Sequence, residues 1–376
     1  MRDRLNVAIA AGGTAGHINP ALALAEELVA RGHEVTFYGQ EHKLEGRLVP
    51  EAGYPFSRIV VTGIDRSRPW TAISALVRMK KAERVLDRSF AQEGKPDVAV
   101  GFGAYVEMPL LRWCAKHDVP YVIHEQNSVP GLANRTCARD ASVVAVALPG
   151  ARGPFEEHIG ANTSLIVTGN PVRSSVVQAS REKGRECFGV GEDQTMLLVF
   201  GGSLGARHVN EAIARLKDEL LARPELHVVH STGRELYDEV CASLNLTDEQ
   251  AAHWQILPYI DNMGEALAAA DLVVSRSGAS SIAEIAALAV PAVLVPYPLA
   301  TGDHQTTNAR YLVDCGAALL VADDDLDAPV FGESLCELVD DAHKREAMQQ
   351  AARSLAQDRA ASALADQVEM ASRTLA

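Results

Sequence analysis

Residues 5–39 read LNVAIAAGGTAGHINPALALAEELVARGHEVTFYG. The apolar run at 5–10 predicts a β-strand, and the glycine-containing loop after it leads into a helix predicted from about Ile18 to Arg31. A second apolar run at 33–39 predicts the next strand. Because strands joined through a helix pair in parallel, this stretch predicts an α/β fold in which helices flank a parallel sheet.

The rest of the chain repeats this pattern and then restarts it. Apolar runs at 97–103, 119–125 and 141–147 continue the first series, and a second series begins with TMLLVF, the glycine loop GGSLGAR and a helix from about His208 to Leu221. Its further strands are predicted at 226–232, 254–260, 271–278 and 291–298. The sequence therefore predicts two βα domains in tandem, 1–168 and 169–355, and a C-terminal helix (356–376) that can pack back on the first domain.

Composition excludes several classes of protein. The 376 residues are 47% hydrophobic and 22% charged, and the six cysteines form no CxxC pair, so neither a disulfide framework nor a zinc site is predicted. The longest uncharged run, 285–300, contains three prolines and is no membrane span. The net charge of −14 combines about +1 in residues 1–170 with about −15 in residues 171–376, which disfavours a nucleic-acid partner.

The first glycine loop, AGGTAGH (11–17), predicts a phosphate site, because backbone N–H groups and a helix N-terminus favour anions. It departs from the dinucleotide fingerprint, since Ala11 stands where the first glycine belongs and no acidic residue ends the second strand. His17 begins the helix, where the helix dipole favours a neutral imidazole that can act as a general base. Simple capping or packing is the alternative role of His17.

Other polar segments follow predicted strands, where ligands of open α/β sheets bind. HEQN (124–127) is either part of such a site or the cap of a turn. In SRSGASSIAEIAA, Glu284 can accept two hydrogen bonds from a ribose diol or can complement the helix dipole. In TGDHQTTNA, Gln305 and Asn308 can bind sugar hydroxyls, although the segment also suits an ordinary loop and helix start.

Two further segments have competing interpretations. DDDLD (323–327) resembles a metal-binding Asp-x-Asp motif, but its late position favours a solvated loop and a helix cap, so we predict no metal there. Residues 66–84 carry six basic side chains and one acidic one, interleaved with apolar residues. This pattern is typical of a helix that binds a membrane surface, and equally of a helix that packs its apolar stripe on the domain core.

Six blocks together resemble the peptidoglycan N-acetylglucosaminyltransferases of glycosyltransferase family 28. They are GGTAGHINPALALAEEL, HEQNSVPGLANR, GNPVR, GGSLGARHVNEA, RSGASSIAEIAALAVPAVLVPYP and DHQTTNA, and they occur in the family's order from about residue 5 to 320. The resemblance implies a GT-B fold, with two Rossmann-like doubly wound domains facing across a cleft. It also implies an inverting transfer, independent of metal or cofactor, of GlcNAc from UDP-GlcNAc to the C4 hydroxyl of undecaprenyl-diphospho-muramoylpentapeptide.

The same resemblance implies roles for individual residues. His17 matches the family's candidate base, Glu284 the ribose contact and Gln305 the residue that reads the GlcNAc hydroxyls. The full set matching donor contacts is Thr14, Ala15, Gly16, Asn127, Arg173, Ser203, Ile260, Ala279, Ser280, Ser281, Ile282, Ala283, Glu284 and Gln305. The acceptor-side candidates are Tyr105, His124, Glu125 and Asn134.

The family resemblance also implies a location and partners. It implies a peripheral protein on the cytoplasmic face of the bacterial cell membrane, docked on the inner leaflet through residues 66–84, with cell-wall synthesis proteins as candidate partners and no nucleic acid.

Two residues depart from the family pattern. Ala15 replaces a glycine of the first loop, and a positive φ there would cost about 1 kcal/mol. Glu107 is unusual in the loop that reads Gly103-Ala104-Tyr105-Val106-Glu107-Met108-Pro109, close to an anionic acceptor. The alternative functions are a UDP-GlcNAc 2-epimerase, another GT-B glycolipid glycosyltransferase, an NAD-dependent oxidoreductase, which the degraded first loop disfavours, and a noncatalytic sugar-nucleotide-binding protein.

Overall fold

The computed structural model describes residues 4–61, 71–202, 205–355 and 359–373, with residues 71–76 described as backbone only. The chain forms two compact units, residues 1–173 together with 359–376 and residues 174–358. The first division falls a few residues after the boundary expected near residue 169.

Unit 1 contains a parallel sheet with helices on both faces. Its elements in chain order are β1 (Asn6–Ala10), α1 (Ala15–Ala30), β2 (Glu34–Gly39), α2 (Leu44–Glu51), β3 (Phe56–Arg58), α3 (Thr71–Glu93), β4 (Val98–Gly101), α4 (Glu107–Lys116), β5 (Tyr121–Glu125), α5 (Leu132–Cys137), β6 (Val143–Val146), α6 (Arg152–Glu156) and β7 (Ser164–Val167). The strand order is β3-β2-β1-β4-β5-β6-β7. The order reverses between β1 and β4, which is where ligands bind in doubly wound folds.

Unit 2 repeats the architecture with a six-stranded parallel sheet. Its elements are α7 (Ser174–Val177), α8 (Arg181–Phe188), β8 (Thr195–Phe200), α9 (Arg207–Arg215), α10 (Lys217–Leu221), β9 (Leu226–Ser231), α11 (Tyr237–Leu244), α12 (Asp248–Ala251), β10 (Trp254–Leu257), α13 (Met263–Ala269), β11 (Leu272–Ser275), α14 (Ala279–Ala287), β12 (Ala292–Leu294), α15 (His304–Val313), β13 (Ala318–Leu320), α16 (Pro329–Asp340) and α17 (Ala342–Arg353). The strand order is β10-β9-β8-β11-β12-β13, and the reversal lies between β8 and β11.

The last helix, α18 (Ala360–Arg373), belongs to unit 1. Leu364 and Val368 are fully buried in the core that α1 and the sheet also line. The Arg31 guanidinium at the end of α1 holds this helix through Asp366, at 2.6 Å, and Glu369, at 3.0 Å. The chain thus returns to its first unit after completing the second.

The fold class predicted from sequence, two Rossmann-like α/β domains, is confirmed. The sequence missed three short strands, β3, β7 and β13, and its single helix from His208 to Leu221 is two helices that meet at Leu216. Among the described residues, no helix combines the length and the apolar character needed to cross a bilayer.

Candidate active site

The first glycine loop connects β1 to α1. Gly13 has φ +83°, whereas Ala15 is the first residue of α1 and has no positive φ, so the strain considered for Ala15 does not arise. Nδ1 of His17 lies 3.1 Å from the Thr14 hydroxyl. Beneath the loop, the buried Glu45 carboxylate accepts the Gly13 N–H at 3.2 Å. The loop is therefore a fixed turn with the imidazole at its end.

A second turn, between β4 and α4, lies against the first. Gly103 has φ +93° and Ala104 φ +62°. A Cβ built on Gly103 would lie 3.1 Å from Cδ2 and 3.2 Å from Nε2 of His17, so the backbone of this turn contacts the imidazole. Glu107 begins α4 and is fully buried, with Oε2 accepting the Gly103 N–H at 2.5 Å. Glu107 therefore faces the interior of unit 1.

The segment after β5 is organised by Glu125. Its carboxylate accepts the backbone N–H of Asn127 at 3.0 Å and of Gly131 at 2.8 Å, and the Asn134 side-chain amide at 2.8 Å. Nε2 of His124 lies 2.9 Å from the Gly169 carbonyl oxygen, and burial lowers the pKa of this histidine to about 4. His124, Glu125 and Asn134 are buried, while Asn127 and Tyr105 reach the surface.

Arg173 ends unit 1 and is tied to α1. Its Nε donates to the Glu26 carboxylate at 2.7 Å, and the side chain is 34% exposed. This pair connects the GNPVR segment to the helix that begins at the first glycine loop.

In unit 2, α14 follows β11 and begins after Gly278, which has extended backbone angles. Its first turn contains Ala279, Ser280 and Ser281, and the Ser280 hydroxyl is buried without a hydrogen-bond partner among the described residues. Glu284 lies one turn further along and is half-buried. Burial raises the pKa of its carboxyl to about 7. This side chain therefore changes charge near neutral pH.

Gln305 lies in the first turn of α15. Its Oε1 accepts the backbone N–H of Tyr297 at 2.9 Å, and its own carbonyl accepts the buried Ser277 hydroxyl at 2.8 Å. These contacts fix the side chain beside the start of α14. Because Oε1 already accepts a hydrogen bond, the amide N–H groups are the polar groups of the Gln305 side chain that remain to bind a ligand.

The remaining residues of unit 2 that the sequence predicted for the site lie in the core or in the second glycine loop. Ile260 follows β10 and its side chain is buried in the core, which leaves its backbone as the polar group. Asn308 is fully buried and donates to the Ser277 carbonyl at 3.4 Å. Gly202, in the second glycine loop, has φ +84°, and Ser203 lies outside the described residues.

The DDDLD segment forms a 3₁₀ turn and binds basic side chains. Asp323 pairs with Arg276 at 2.5 Å and with Nδ1 of His208 at 2.8 Å, and Asp327 pairs with Arg215. The hydrogen bond that His208 donates to the Asp323 carboxylate raises the pKa of this histidine. Across the part of the chain that is described, no group of three His, Cys, Asp or Glu side chains could hold a metal ion.

Sequence reasoning missed the roles of Glu45 and Arg276. Arg276 lies between β11 and α14. Its side chain is 11% exposed, and its guanidinium donates to the Pro296 carbonyl at 3.0 Å. The sequence feature that could have identified Arg276 is a single basic residue directly after an apolar strand. No sequence feature marks Glu45, because it contacts Gly13 only in the folded chain.

Helix α3 presents a basic face. Its described side chains Ala82, Leu86 and Phe90 are buried in the core, while Val77 is 50% and Val85 44% exposed. The exposed side chains around these valines are Arg78, Lys80, Lys81, Arg84 and Arg88. The helix thus packs on the core and also carries a basic, partly apolar surface. Residues 66–70 lie outside the described part of the chain, and so do the side chains of Ile73 and Leu76.

Known proteins with the same architecture identify the family. The model described as the glycosyltransferase family 28 N-terminal domain matches residues 7–146, and that of the family 28 C-terminal domain matches residues 196–368. Two such domains in tandem define a GT-B glycosyltransferase. The chain belongs to glycosyltransferase family 28, in its MurG branch.

Individual relatives support this membership. The UDP-N-acetylglucosamine--N-acetylmuramyl-(pentapeptide) pyrophosphoryl-undecaprenol N-acetylglucosamine transferase of Halothermothrix orenii is 37% identical, over 95% of this chain and 96% of that protein. The protein of the same name from Desulforudis audaxviator is 39% identical, over 97% and 98%. The crystal structure of Acinetobacter baumannii MurG has 30% sequence identity and a TM-score of 0.74, covering 97% of this chain and 99% of that one.

Proposed function

We propose that this chain transfers GlcNAc from UDP-GlcNAc to the C4 hydroxyl of undecaprenyl-diphospho-muramoylpentapeptide, with inversion at the anomeric carbon. The nearly full-length relatives named for this donor and acceptor support the proposal. The structural observation that carries it is the placement of two polar side chains after adjacent strands of the unit 2 sheet: Glu284 on α14, which follows β11, and Gln305 at the start of α15, which follows β12. The Gln305 Oε1 is bonded to the Tyr297 N–H, which leaves its amide N–H groups to bind a ligand.

Unit 2 binds the donor in this proposal. The first turn of α14, at Ala279, Ser280 and Ser281, offers backbone N–H groups to the diphosphate. The N–H of Ile282 donates to the Gly278 carbonyl at 2.9 Å and that of Ala283 lies within the helix, so these two residues complete the turn without donating to the ligand. Glu284 accepts hydrogen bonds from the ribose diol, and the Gln305 amide donates to a GlcNAc hydroxyl. The backbone at Ile260 contacts uracil, and Ser203 adds a contact from the second glycine loop.

Unit 1 supplies the base and further contacts. Thr14, Ala15 and Gly16 approach the sugar and diphosphate, and Arg173 contacts the donor through the exposed part of its guanidinium. Asn127 binds the GlcNAc, and Tyr105 lies on the acceptor side. We assign His124, Glu125 and Asn134 a supporting role, because all three are buried and their hydrogen bonds shape the loop that carries Asn127.

The chemistry follows from these positions. His17 accepts the proton of the C4 hydroxyl as that oxygen attacks the anomeric carbon on the face opposite UDP. The C–O bond to UDP breaks, and UDP leaves with its electron pair. The helix N-terminus and the glycine-loop N–H groups stabilise the charge that develops on the diphosphate.

We also propose that the protein works on the cytoplasmic face of the cell membrane. The exposed basic face of α3, with Val77 and Val85 among its lysines and arginines, suits an anionic lipid surface. A lipid-linked acceptor requires contact with that surface.

The test is transfer of radiolabelled GlcNAc from UDP-GlcNAc to a short-chain analogue of the lipid acceptor, with products separated by chromatography. Labelled disaccharide–lipid supports the proposal. Release of ManNAc and UDP without lipid product would favour the 2-epimerase instead. Labelling of a different glycolipid alone would favour another glycolipid glycosyltransferase.

A further inference from the structure

A buried carboxyl holds the turn that contacts the proposed base. Glu107 is fully buried at the start of α4, and its Oε2 accepts the Gly103 N–H at 2.5 Å. Its other oxygen, Oε1, has no hydrogen-bond partner within the described residues, and the same holds for the buried Oδ1 of Asn134. An unpaired buried oxygen costs free energy, so a carboxyl retained there calls for a compensating role.

Gly101 makes room for this carboxyl, and Gly103 binds it. A Cβ built on Gly101 would lie 2.5 Å from Oε2 of Glu107 and 2.7 Å from Cδ1 of Leu111, so a side chain at that position would displace the carboxyl. Gly103 has φ +93°, and its N–H reaches the carboxyl in this conformation. The end of β4, the turn that follows it and the Glu107 side chain therefore pack against one another.

The turn that Glu107 holds lies against His17. A Cβ on Gly103 would lie 3.2 Å from Nε2 of His17 and 3.6 Å from the Asn134 amide nitrogen, so the Gly103 backbone lies next to the imidazole with no room for a side chain between them. On the opposite side of the ring, Nδ1 lies 3.1 Å from the Thr14 hydroxyl. The imidazole thus lies between its own loop and the turn that Glu107 holds.

We propose that Glu107 is a positioning residue for the transfer reaction: its buried carboxyl fixes the Gly103–Ala104–Tyr105 turn, and that turn fixes the His17 imidazole. The inference deepens the proposed function and rests on it. It explains an acidic residue near the site of an anionic acceptor, because the carboxyl points into unit 1 and acts through the turn.

The charge of Glu107 adds a pH dependence. Burial, with a smaller contribution from the Glu125 carboxylate at the end of β5, raises the pKa of this carboxyl to about 8 against the opposing effect of the Gly103 N–H. The other titratable groups that interact with it are Tyr121 on β5 and Cys137 on α5. Glu107 is therefore mostly protonated at pH 7, and its ionisation would place a second negative charge beside Glu125 and disturb the turn.

The first experiment compares Glu107→Gln with Glu107→Leu. The glutamine keeps an oxygen that accepts the Gly103 N–H, whereas the leucine keeps the bulk and removes the acceptor. We expect kcat to fall roughly tenfold or more in Glu107→Leu, because small displacements of a base are costly, with KM for UDP-GlcNAc changed less than twofold. We expect the wild-type kcat/KM to fall above pH 8, where Glu107 ionises, and Glu107→Gln to retain kcat within threefold and to lack that fall.

A second readout does not depend on activity. In protein labelled with ¹³C-histidine, the His17 resonance, assigned with His17→Gln, should shift in Glu107→Leu and stay near its wild-type position in Glu107→Gln. Glu83→Leu is the matched control, because Glu83 is also buried in unit 1 but pairs with Arg112 and Lys116. That variant should leave the His17 resonance in place.

The outcomes separate the two proposals. An unmoved His17 resonance in Glu107→Leu, or equal losses of kcat in both Glu107 variants, would overturn the positioning role. A wild-type protein that transfers no GlcNAc while the resonance still responds to Glu107→Leu would overturn the proposed function and leave the structural coupling intact.

Discussion

Nδ1 of His17 lies 3.1 Å from the Thr14 hydroxyl, at the point where β1 gives way to α1. A threonine hydroxyl can accept a hydrogen bond from Nδ1–H, and the neutral ring then carries its lone pair on Nε2. Nε2 is the ring nitrogen beside Gly103. Because the hydroxyl can equally donate to a lone pair on Nδ1, the contact orients the imidazole in either neutral tautomer.

His17→Ala should spare donor binding and slow transfer. The proposed donor contacts in unit 2 remain intact, whereas general-base catalysis contributes about 10²- to 10⁴-fold to a rate. We expect kcat to fall within that range, measured with saturating lipid acceptor, and the Kd for UDP-GlcNAc from calorimetry to change less than threefold.

Thr14→Val provides the matched control for His17. It keeps the shape of the side chain and removes the hydroxyl at Nδ1, so we expect a smaller loss of kcat, about tenfold, because the imidazole is held less firmly in place. Wild-type turnover in His17→Ala would reject the histidine as base, whatever Thr14→Val shows.

The two sheets illustrate what sequence can predict. The run TMLLVF at 195–200 is β8 to the residue, because a central strand buried on both faces is a continuous apolar run. The missed strands β3, β7 and β13 lie at sheet edges and have three or four residues of mixed exposure. Such strands depend on a neighbour for their hydrogen bonds and leave little local signal.

The site divides in the same way. The glycine loops and the segment after β5 could be located from sequence, because they follow strong strands. The contacts of Glu45 with Gly13 and of Arg276 with Asp323 could not, since each joins residues more than thirty positions apart. Similarly, the sequence raised a positive φ as a possible cost at Ala15, whereas the alanine with a positive φ in the turns beside His17 is Ala104.

Ala104→Gly should therefore stabilise the protein. A non-glycine residue at φ +62° carries roughly 1 kcal/mol of strain that glycine avoids, offset in part by the greater freedom of glycine in the unfolded chain. We expect a gain of about 0.5 kcal/mol, seen as a higher Tm in calorimetry. Ala15→Gly, in the first turn of α1, should lower Tm instead. Shifts of the same sign in both variants would contradict this assignment of strain.

Glu107→Gln should change how stability depends on pH. The folded protein keeps a proton on Glu107 up to about pH 8, while the unfolded chain loses it near the ordinary value of 4.5. The contribution of Glu107 to the free energy of unfolding is thus complete below pH 4.5 and declines as pH rises to 8, by up to about 1.4 kcal/mol per unit. Glutamine lacks this decline, so the Tm of Glu107→Gln relative to wild type should rise between pH 5 and pH 8. A difference in Tm between Glu107→Gln and wild type that stays constant from pH 5 to pH 8 would show that Glu107 does not titrate in this range.

The basic face of α3 should decide membrane binding. Lys80→Glu combined with Lys81→Glu removes two exposed positive charges and adds two negative ones, and each basic residue near an anionic surface contributes about 1 kcal/mol. Binding to vesicles that contain about 30% anionic lipid should fall at least tenfold in sedimentation assays. Lys183→Glu with Arg310→Glu makes the same change in net charge on unit 2 and should have little effect. Equal losses in both double variants would indicate a response to net charge alone.

Donor binding should strengthen as pH rises through 7. Burial raises the pKa of Glu284 to about 7, and the ionised carboxylate is the form that accepts two hydrogen bonds from a ribose diol. Protonation below that pH removes an acceptor, so the Kd for UDP-GlcNAc should increase about tenfold from pH 8 to pH 6 as the ionised fraction falls. Calorimetry at pH 6 in two buffers of different ionisation enthalpy should also detect protons released on binding.

Two variants isolate the contribution of Glu284 to donor binding. Glu284→Gln should bind UDP-GlcNAc about tenfold to a hundredfold more weakly than wild type at pH 8, because hydrogen bonds to a charged acceptor are the stronger ones, and it should lose the pH dependence. Glu333→Gln, an exposed change on α16 in the same unit, should behave as wild type. If Glu284→Gln kept both the wild-type affinity at pH 8 and its weakening at pH 6, another group would have to bind the ribose, and Glu284 would serve only the stability of α14.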